Sequence, residues 1–573
     1  MANILITSAL PYINGVKHLG NLAGSLLPAD IQARHRRQIG DAVLFICATD
    51  EHGTPAELAA AEAGLDVAIY CARQHEVQAD IYRRFHLSFD HFGRTSSARN
   101  HALTQHLFER LEAEGFVEER VIEQVYSQAD ERFLPDRYII GTCPHCGFAG
   151  ARGDQCESCT RPLDPVDLIE PRSALSGSTD LTIRESRHLF LRQSALVEEL
   201  DRWIASRSGW PPLVTSIARK WLTEGLKDRC ITRDLAWGVK VPRPGFDHKV
   251  FYVWFDAPIG YIAATQEWAD ADPANRDWRS WWWEAQDVTY LQFLGKDNVP
   301  FHAVSFPCTL IGSREPWTRV DIIKGVNWLT YEGGKFSTSG RRGVFLDQAL
   351  ELLPADRWRW WLAANAPEGN DADFSFRAFA VQVNHDLADS FGNLVNRVLR
   401  FVETRHDGLV PQGGVAGEAE ARLAAELDRH LVALRNHHGA CALRKATQEV
   451  AAVWRLANAY LAAEAPWTLI DRDPERAALV IRVSVNLVDI AARLAWPFIP
   501  ATATQVLTAL GEADSVPPFP ESAAQALSHI PGGRRLAGLA VLFDKLQPDW
   551  VEACERQFAG QAQPAGSPWR PAS

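Results

Sequence analysis

One histidine and one lysine, more than three hundred residues apart, carry the clearest chemical signal in this 573-residue chain. His18 lies in Leu10-Pro11-Tyr12-Ile13-Asn14-Gly15-Val16-Lys17-His18-Leu19-Gly20-Asn21, directly after the apolar run Ile4-Leu5-Ile6. The order is a strand, a Gly/Asn turn and a helix start. Backbone N–H groups and the positive end of the helix dipole at such a start hold phosphate. Lys335 lies in Gly333-Gly334-Lys335-Phe336-Ser337-Thr338-Ser339. That is a Gly-hinged, hydroxyl-rich loop suited to closing over a triphosphate as charge develops. A third group is Cys143-Pro144-His145-Cys146, nine residues, then Cys156-Glu157-Ser158-Cys159. Two Cys-x-x-Cys turns close a tetrahedral four-thiolate site, which suits one structural zinc (Zn²⁺). A redox dithiol fits less well, because neither pair opens a helix after a thioredoxin-like strand. His145 is expected to be exposed rather than a ligand.

The elements that must position these residues are legible in outline. Up to residue 115, strands and helices alternate: Ile4–Ser8 a strand, 21–39 a helix, Ala42–Ala48 a strand, and a further helix from about Thr54. That order predicts an α/β fold with a parallel sheet covered on both faces. Pro28 should kink the first helix or start a new turn in it. Residues 116–225 interrupt the pattern with the cysteine module (143–159) and a helical stretch His188–Ser206. The α/β pattern returns in 226–325 with Lys249–Trp254 and Val288–Leu294, and 326–380 holds the lysine loop. From 381 to 545 apolar residues recur at helical spacing, as in Leu387, Phe391, Leu394 and Val398, which predicts an all-α bundle. The Pro/Gly/Ser-rich end predicts a disordered tail over 546–573.

The two signatures around His18 and Lys335 resemble those of class I aminoacyl-tRNA synthetases, and the surrounding segments are similar to the methionyl-tRNA synthetase family. The resemblance implies a Rossmann-like catalytic domain in two halves (1–115 and 226–325). It also implies a connective insertion with the zinc knuckle, a KMSKS-type loop with a stem-contact region, and an anticodon-binding bundle. It assigns His18 and Asn21 to the ATP phosphates and Gly20 to space for adenine. Lys335, with Ser337 and Thr338 of the same loop, is assigned to the departing pyrophosphate. Asn21 stands where many members have a second histidine, and Thr338 where the usual loop has a second lysine; Arg341 and Arg342 are candidates to replace that charge. Arg233, in Cys230-Ile231-Thr232-Arg233-Asp234, would face the adenylate, and Asp297 the ribose or a pocket cation.

For the amino acid, the resemblance brings together Leu10, Tyr12, Asp50, Trp254, Ala257, Pro258, Tyr261, Phe301 and His302, with Phe306 where some relatives have tryptophan. An unbranched thioether offers few polar handles, so an aromatic pocket with one histidine suits it, and Asp50 supplies a carboxylate for the substrate ammonium. In the bundle, Asn393 and Arg397 together with Pro466 and Trp467 match anticodon-contact segments, where an unpaired base is read by stacking and edge hydrogen bonds. The implied activity is ligation of L-methionine to tRNA(Met), initiator tRNA included, through methionyl-adenylate, using ATP with Mg²⁺.

Composition narrows the remaining choices. A net charge of −12 argues against a general nucleic-acid-coating protein, although a local basic surface can still meet a tRNA. No apolar stretch is long enough to span a bilayer, Met1-Ala2-Asn3-Ile4 lacks the features of a signal peptide, and the ten cysteines read as reduced. The expectation is a cytoplasmic monomer. Only ten of the 59 basic residues are lysines, so a lysine inside a motif stands out. A small-metabolite adenylyltransferase would share the histidine motif but need neither knuckle nor bundle. A tRNA-binding or regulatory paralogue with weakened catalysis draws its support from Thr338.

Overall fold

The computed structural model describes residues 2–558 apart from positions 136–137, 154–155, 157, 160, 162, 164, 339–341 and 513. Strands Ile322–Val326, Val288–Gly295, Asn3–Ser8, Ala42–Thr49 and His91–Arg94 lie side by side in that order. Every neighbouring pair is parallel. Successive residues of Asn3–Ser8 go to opposite layers. Ile4 and Ile6 pack with Ala29, Ala33 and Phe45, while Leu5 packs with Leu44, Tyr261 and Ile262. A strand apolar on both sides is what a parallel sheet covered on two faces demands. Its neighbour on one side is the next strand in sequence, and on the other a strand nearly three hundred residues away. The order therefore reverses at this strand, and such a switch point opens a crevice at the carboxyl ends of the strands.

Pro28 is accommodated by a wide turn. A π-helical segment, Leu22–Leu26, precedes it, so that Pro28 falls in the first turn of Leu27–Gln38, where its missing N–H is not needed. Two expectations about the insertion and its return need correction. Residues His188–Leu191 are not helical: they complete the strand Leu181–Leu191, paired antiparallel with Val117–Ser127 along its whole length, and the helix starts only at Val197. Pairing with a partner some sixty residues upstream overrides the local pattern. Lys249–Trp254 is likewise not a strand of the main sheet. Only Val250–Phe251 is extended, paired antiparallel with Thr232–Arg233, and a helix begins at Val253.

The C-terminal region is helical as read, with long helices Glu418–Gly439, Leu443–Glu464 and Pro474–Ala495, and with Leu387, Phe391, Leu394 and Val398 all buried. The tail expectation fails in part. Pro548–Phe558 is a helix that buries Val551, Cys554 and Phe558, with Phe558 against Phe376; residues 559–573 lie outside the described residues. The bundle and the parallel-sheet region share a buried polar seam. Arg359 donates to Asp30, to the Phe85 carbonyl, and to the Pro497 and Phe498 carbonyls. Gln38 donates to the Arg493 and Pro517 carbonyls. Among the described residues no helix is long and apolar enough to cross a membrane.

Candidate active site

A cavity of about 680 Å³ occupies the crevice at the switch point. Its lining includes His18, Gly20, Asn21, Arg233, Asp297, Lys335 and Thr338, and also Leu10, Tyr12, Asp50, Trp254, Ala257, Pro258, Tyr261, Phe301 and His302. The segments that contribute them follow the carboxyl ends of three parallel strands, the short Thr232–Arg233 pairing and the lysine hairpin. One expected ATP contact, Ser337, is not in the lining: its backbone pairs with Arg342, at 3.1 and 2.9 Å.

At one end of the cavity the chemistry is that of phosphate. His18 is the N-cap of the first helix: its Nδ1 accepts the Asn21 N–H at 3.3 Å, and its own N–H donates to Asn21 Oδ1 at 3.2 Å. Nδ1 is an acceptor, so the proton sits on Nε2. Burial, aided by Lys17, pushes the ring's pKa down to about 3, which keeps it neutral. His18 is thus a neutral N–H donor of fixed tautomer. Asn21, with Oδ1 engaged, keeps its amide N–H₂ as a donor. A Cβ on Gly20 would meet the His18 ring at 3.1 Å and Phe336 at 3.3 Å, so the absent side chain makes room for those two rings. Phe336 stacks on His18 with centroids 4.9 Å apart. Gly343 (φ +106°) seats Phe336 in turn, because a Cβ there would lie 2.0 Å from its ring.

Lys335 sits in a hairpin, with Thr330 opposite Lys335 and the turn at Glu332-Gly333. Its ammonium is 4.1 Å from the centroid of Trp328, a cavity residue with no counterpart among the expected contacts. Arg342, one candidate for the charge of a second lysine, is not in the cavity lining. Its guanidinium is tied to the Tyr331 carbonyl at 2.7 Å and the Lys335 carbonyl at 3.1 Å. Arg341 lies outside the described residues. Arg233 lies over Tyr252 at 3.8 Å, which aims a cation along the cavity wall.

The other end is apolar with a buried carboxylate. Trp254 and Phe301 stack at 3.6 Å, and Tyr12 meets Trp254 edge-on at 6.1 Å. His302 Nδ1 lies 3.0 Å from the Asn298 carbonyl, which can only accept, so Nδ1 carries the proton. Nε2 then accepts the Tyr261 hydroxyl at 3.0 Å, and burial keeps the ring neutral with a pKa of about 4. Asp50 is buried, and its Oδ1 has no hydrogen-bond partner among the described residues. Burial, then Asp256 and Glu51, raises its pKa well above the carboxylate range, while Lys17 opposes. Lys17 is itself pushed down to about 7 by burial and donates to Asn14 at 2.8 Å. A buried carboxylate oxygen without a donor is a strained state that an ammonium would relieve.

Two further sites stand apart. The Sγ atoms of Cys143, Cys146, Cys156 and Cys159 all lie within 4.8 Å of one another, with pairs at 3.8 and 3.6 Å. Zn–S bonds of about 2.3 Å in a tetrahedron require S–S separations of about 3.8 Å, so the donor set fits zinc. His145 is exposed, as expected. The other cluster of potential ligands, Asp489, Glu512 and His529, is filled by the Arg493 guanidinium, at 2.8, 2.8 and 3.2 Å, and is an ion-pair network. On the bundle, a groove of about 470 Å³ is lined by Arg397, Pro466 and Trp467, together with Asn396, Arg400 and Thr404. Arg397 lies 5.0 Å over the Trp467 ring. Asn393 is not in the groove lining and contacts Asn458 at 3.4 Å.

Comparison with known proteins decides among these chemistries. The family described as "tRNA synthetases class I (M)" matches residues 4–399, and "Anticodon binding domain of methionyl tRNA ligase" matches 410–563. A methionine–tRNA ligase of Ruegeria sp. (strain TM1040) is 56% identical over 571 residues, covering 98% of this chain and 99% of that one. The chain belongs to the methionyl-tRNA synthetase family. A second member, from Caulobacter vibrioides (strain NA1000 / CB15N), is 54% identical over 569 residues, covering 98% of this chain and all of its own. Among solved structures, the Mycobacterium tuberculosis methionyl-tRNA synthetase in complex with methionyl-adenylate aligns with a TM-score of 0.75 at 28% identity. It covers 95% of this chain and 100% of that one.

What the sequence reading missed has one cause. Trp328, Phe336 and Gly343 carry no chemistry of their own; they pack around His18 and Lys335, and only folding brings them together. Trp328 had one usable signal, an aromatic residue seven positions before the motif lysine. Asn396 lies four residues before Arg400 on one helix face, a spacing that could have pointed to it.

Proposed function

We propose that this synthetase-family chain ligates L-methionine to tRNA(Met), initiator tRNA included, in two steps, and that the cavity residues divide the work as their positions suggest. The methionine ammonium pairs with Asp50, and its side chain enters the Tyr12, Trp254, Tyr261, Phe301 and His302 end, with Leu10, Ala257 and Pro258 closing the walls. Its carboxylate then attacks the α-phosphorus of ATP, an oxygen–phosphorus bond forms, and pyrophosphate leaves. His18, through Nε2–H, the Asn21 amide and the Lys335 ammonium stabilise the charge that builds on the phosphates. Mg²⁺ enters with ATP and supplies further charge neutralisation. Asp297 holds the ribose, and Arg233 faces the adenylate. In the second step the 2′-hydroxyl of the terminal adenosine attacks the activated carbonyl and AMP leaves. The four cysteines hold a structural zinc, and Arg397 and Trp467 receive the anticodon.

The observation that carries this reading is the buried Asp50 oxygen without a partner among the described residues, in one cavity with the aromatic cluster, His18 and Lys335. An apolar side chain, an ammonium and a phosphate are wanted together, and an aminoacyl-adenylate supplies all three. Methionine-dependent ATP–pyrophosphate exchange tests it. Exchange with methionine and much less with leucine supports the reading; tRNA binding without exchange would install the regulatory paralogue instead.

A further inference from the structure

The lysine loop raises a question of electrostatics. Thr338 carries no charge, Arg342 is committed to carbonyls, and Lys335 is the only cation that the described part of the loop presents to the cavity. Such an ammonium must be held near the phosphates without being neutralised. Asp297 and Asp371 attract it across space, but Asp371 is already engaged. Its Oδ1 accepts the Lys296 ammonium at 2.9 Å and the Trp328 backbone N–H at 2.9 Å. Lys296 also donates to Asn327 at 3.3 Å, and its ammonium lies 4.1 Å from the Trp328 centroid. One indole therefore meets two ammoniums at the same distance. Lys296 is neutralised by Asp371, and Lys335 is not.

An indole attracts an ammonium through its quadrupole while leaving the charge intact and the N–H donors available. A carboxylate in the same place would bind more tightly, and breaking that partly buried pair would oppose every turnover. Lys296 keeps the resting contact shallow by repulsion: burial and Lys296 together hold Lys335 below the ordinary lysine range. The ammonium thus meets an arriving triphosphate with its charge intact and the indole still behind it.

We propose that Trp328 is a positioning residue for Lys335. Clamped by Asp371 and Lys296, its indole parks the loop ammonium at the cavity wall and delivers it to the leaving pyrophosphate, which lets the loop work without a second lysine. The proposal rests on the role given to Lys335 above, and the two can fail separately.

Pyrophosphate exchange by the wild type and by Lys335→Ala settles the role of the lysine first. A wild type without exchange overturns the function and the proposal alike. Given exchange that falls in Lys335→Ala, Trp328→Leu should lower kcat about three- to thirtyfold, the rate equivalent of one cation–π contact. The KM for methionine should hardly change, and Trp328→Phe should retain most of the rate. In the Lys335→Ala background Trp328→Leu should add nothing, because no ammonium is left to position. Should Trp328→Leu fail to fold, Lys296→Met reads the same platform from its other side: kcat should fall with Lys335 present and stay constant without it. Losses that multiply across the double variants, or a phenylalanine no better than leucine, overturn the proposal.

Discussion

The aromatic end of the cavity and the groove on the bundle are both built around a tryptophan, yet they solve opposite problems. Trp254 is stacked on Phe301 at 3.6 Å in a site whose polar groups have fixed tautomers and one unmet carboxylate oxygen. Trp467 is 45% exposed, with a guanidinium over its face. A small ligand with three kinds of group must be chosen by a few contacts, so each contact is made strong by desolvation. A tRNA brings a large surface, and each contact can stay weak and wet. The pocket therefore concentrates free energy in single residues, whereas the groove spreads it over many. Mutations should show that difference.

The largest effect is expected at Asp50. Asp50→Ala leaves a substrate ammonium buried without a partner, and breaking a buried pair costs about 3–5 kcal/mol. The methionine concentration needed for half-maximal pyrophosphate exchange should rise by about two to three and a half orders of magnitude at 1.4 kcal/mol per tenfold. An increase of only a few-fold would mean that another group receives the ammonium.

Trp467→Ala should act on one reaction only. Loss of a stacked base is worth about 1–3 kcal/mol, so tRNA charging should fall by roughly one to two orders of magnitude while exchange stays near the wild-type rate. Equal loss in both assays would erase the distinction between pocket and groove.

The contrast also marks what the sequence could reveal. His18, Lys335 and the four cysteines stood out because their chemistry requires particular residue types at particular spacings, and Asp50 stood out through the family resemblance. The parallel sheet was legible because strands and helices alternate over the first 115 residues. What stayed hidden depends on non-local pairing. His188–Leu191 reads as helical until its partner strand Val117–Ser127 is known. Ser337 reads as a phosphate contact, yet its backbone pairs with Arg342 and it is not in the cavity lining. Asn393 sits in a recognisable motif, yet the groove beside Trp467 is lined by Asn396. Pro548–Phe558 adjoins a Pro/Gly-rich end, and only the apolar surface around Phe376 reveals why it is ordered.

The knuckle should give an effect between the two sites in kind and smaller in size. Freshly purified protein should hold zinc in a one-to-one ratio. Cys156→Ala should reduce charging more than exchange, because the four-thiolate site shapes the insertion rather than the cavity. Folded protein free of zinc by metal analysis would remove this assignment.

The smallest effect belongs to the scaffold of the groove. Glu420 joins three helices: it accepts the Tyr460 hydroxyl at 2.6 Å, Arg476 at 2.8 Å and the Gly417 N–H at 2.8 Å. Burial alone would raise its pKa, but Arg476 and Tyr460 outweigh it and hold the carboxyl at about 2. A carboxyl held below its unfolded value of about 4.3 stabilises the fold above that pH, and the contribution is lost as pH falls toward 2. Glu420→Gln should therefore destabilise the bundle at pH 7 by about 1–3 kcal/mol, or about 2–4 °C per kcal/mol for a unit of this size. The gap in melting temperature between variant and wild type should narrow on going from pH 5 to pH 3. Exchange measured at 25 °C should be unchanged, since Glu420 is remote from the cavity. A gap that is constant across that pH range would show that Glu420 acts through packing rather than charge. A loss of exchange would show that the bundle and the pocket are not as independent as their tryptophans suggest.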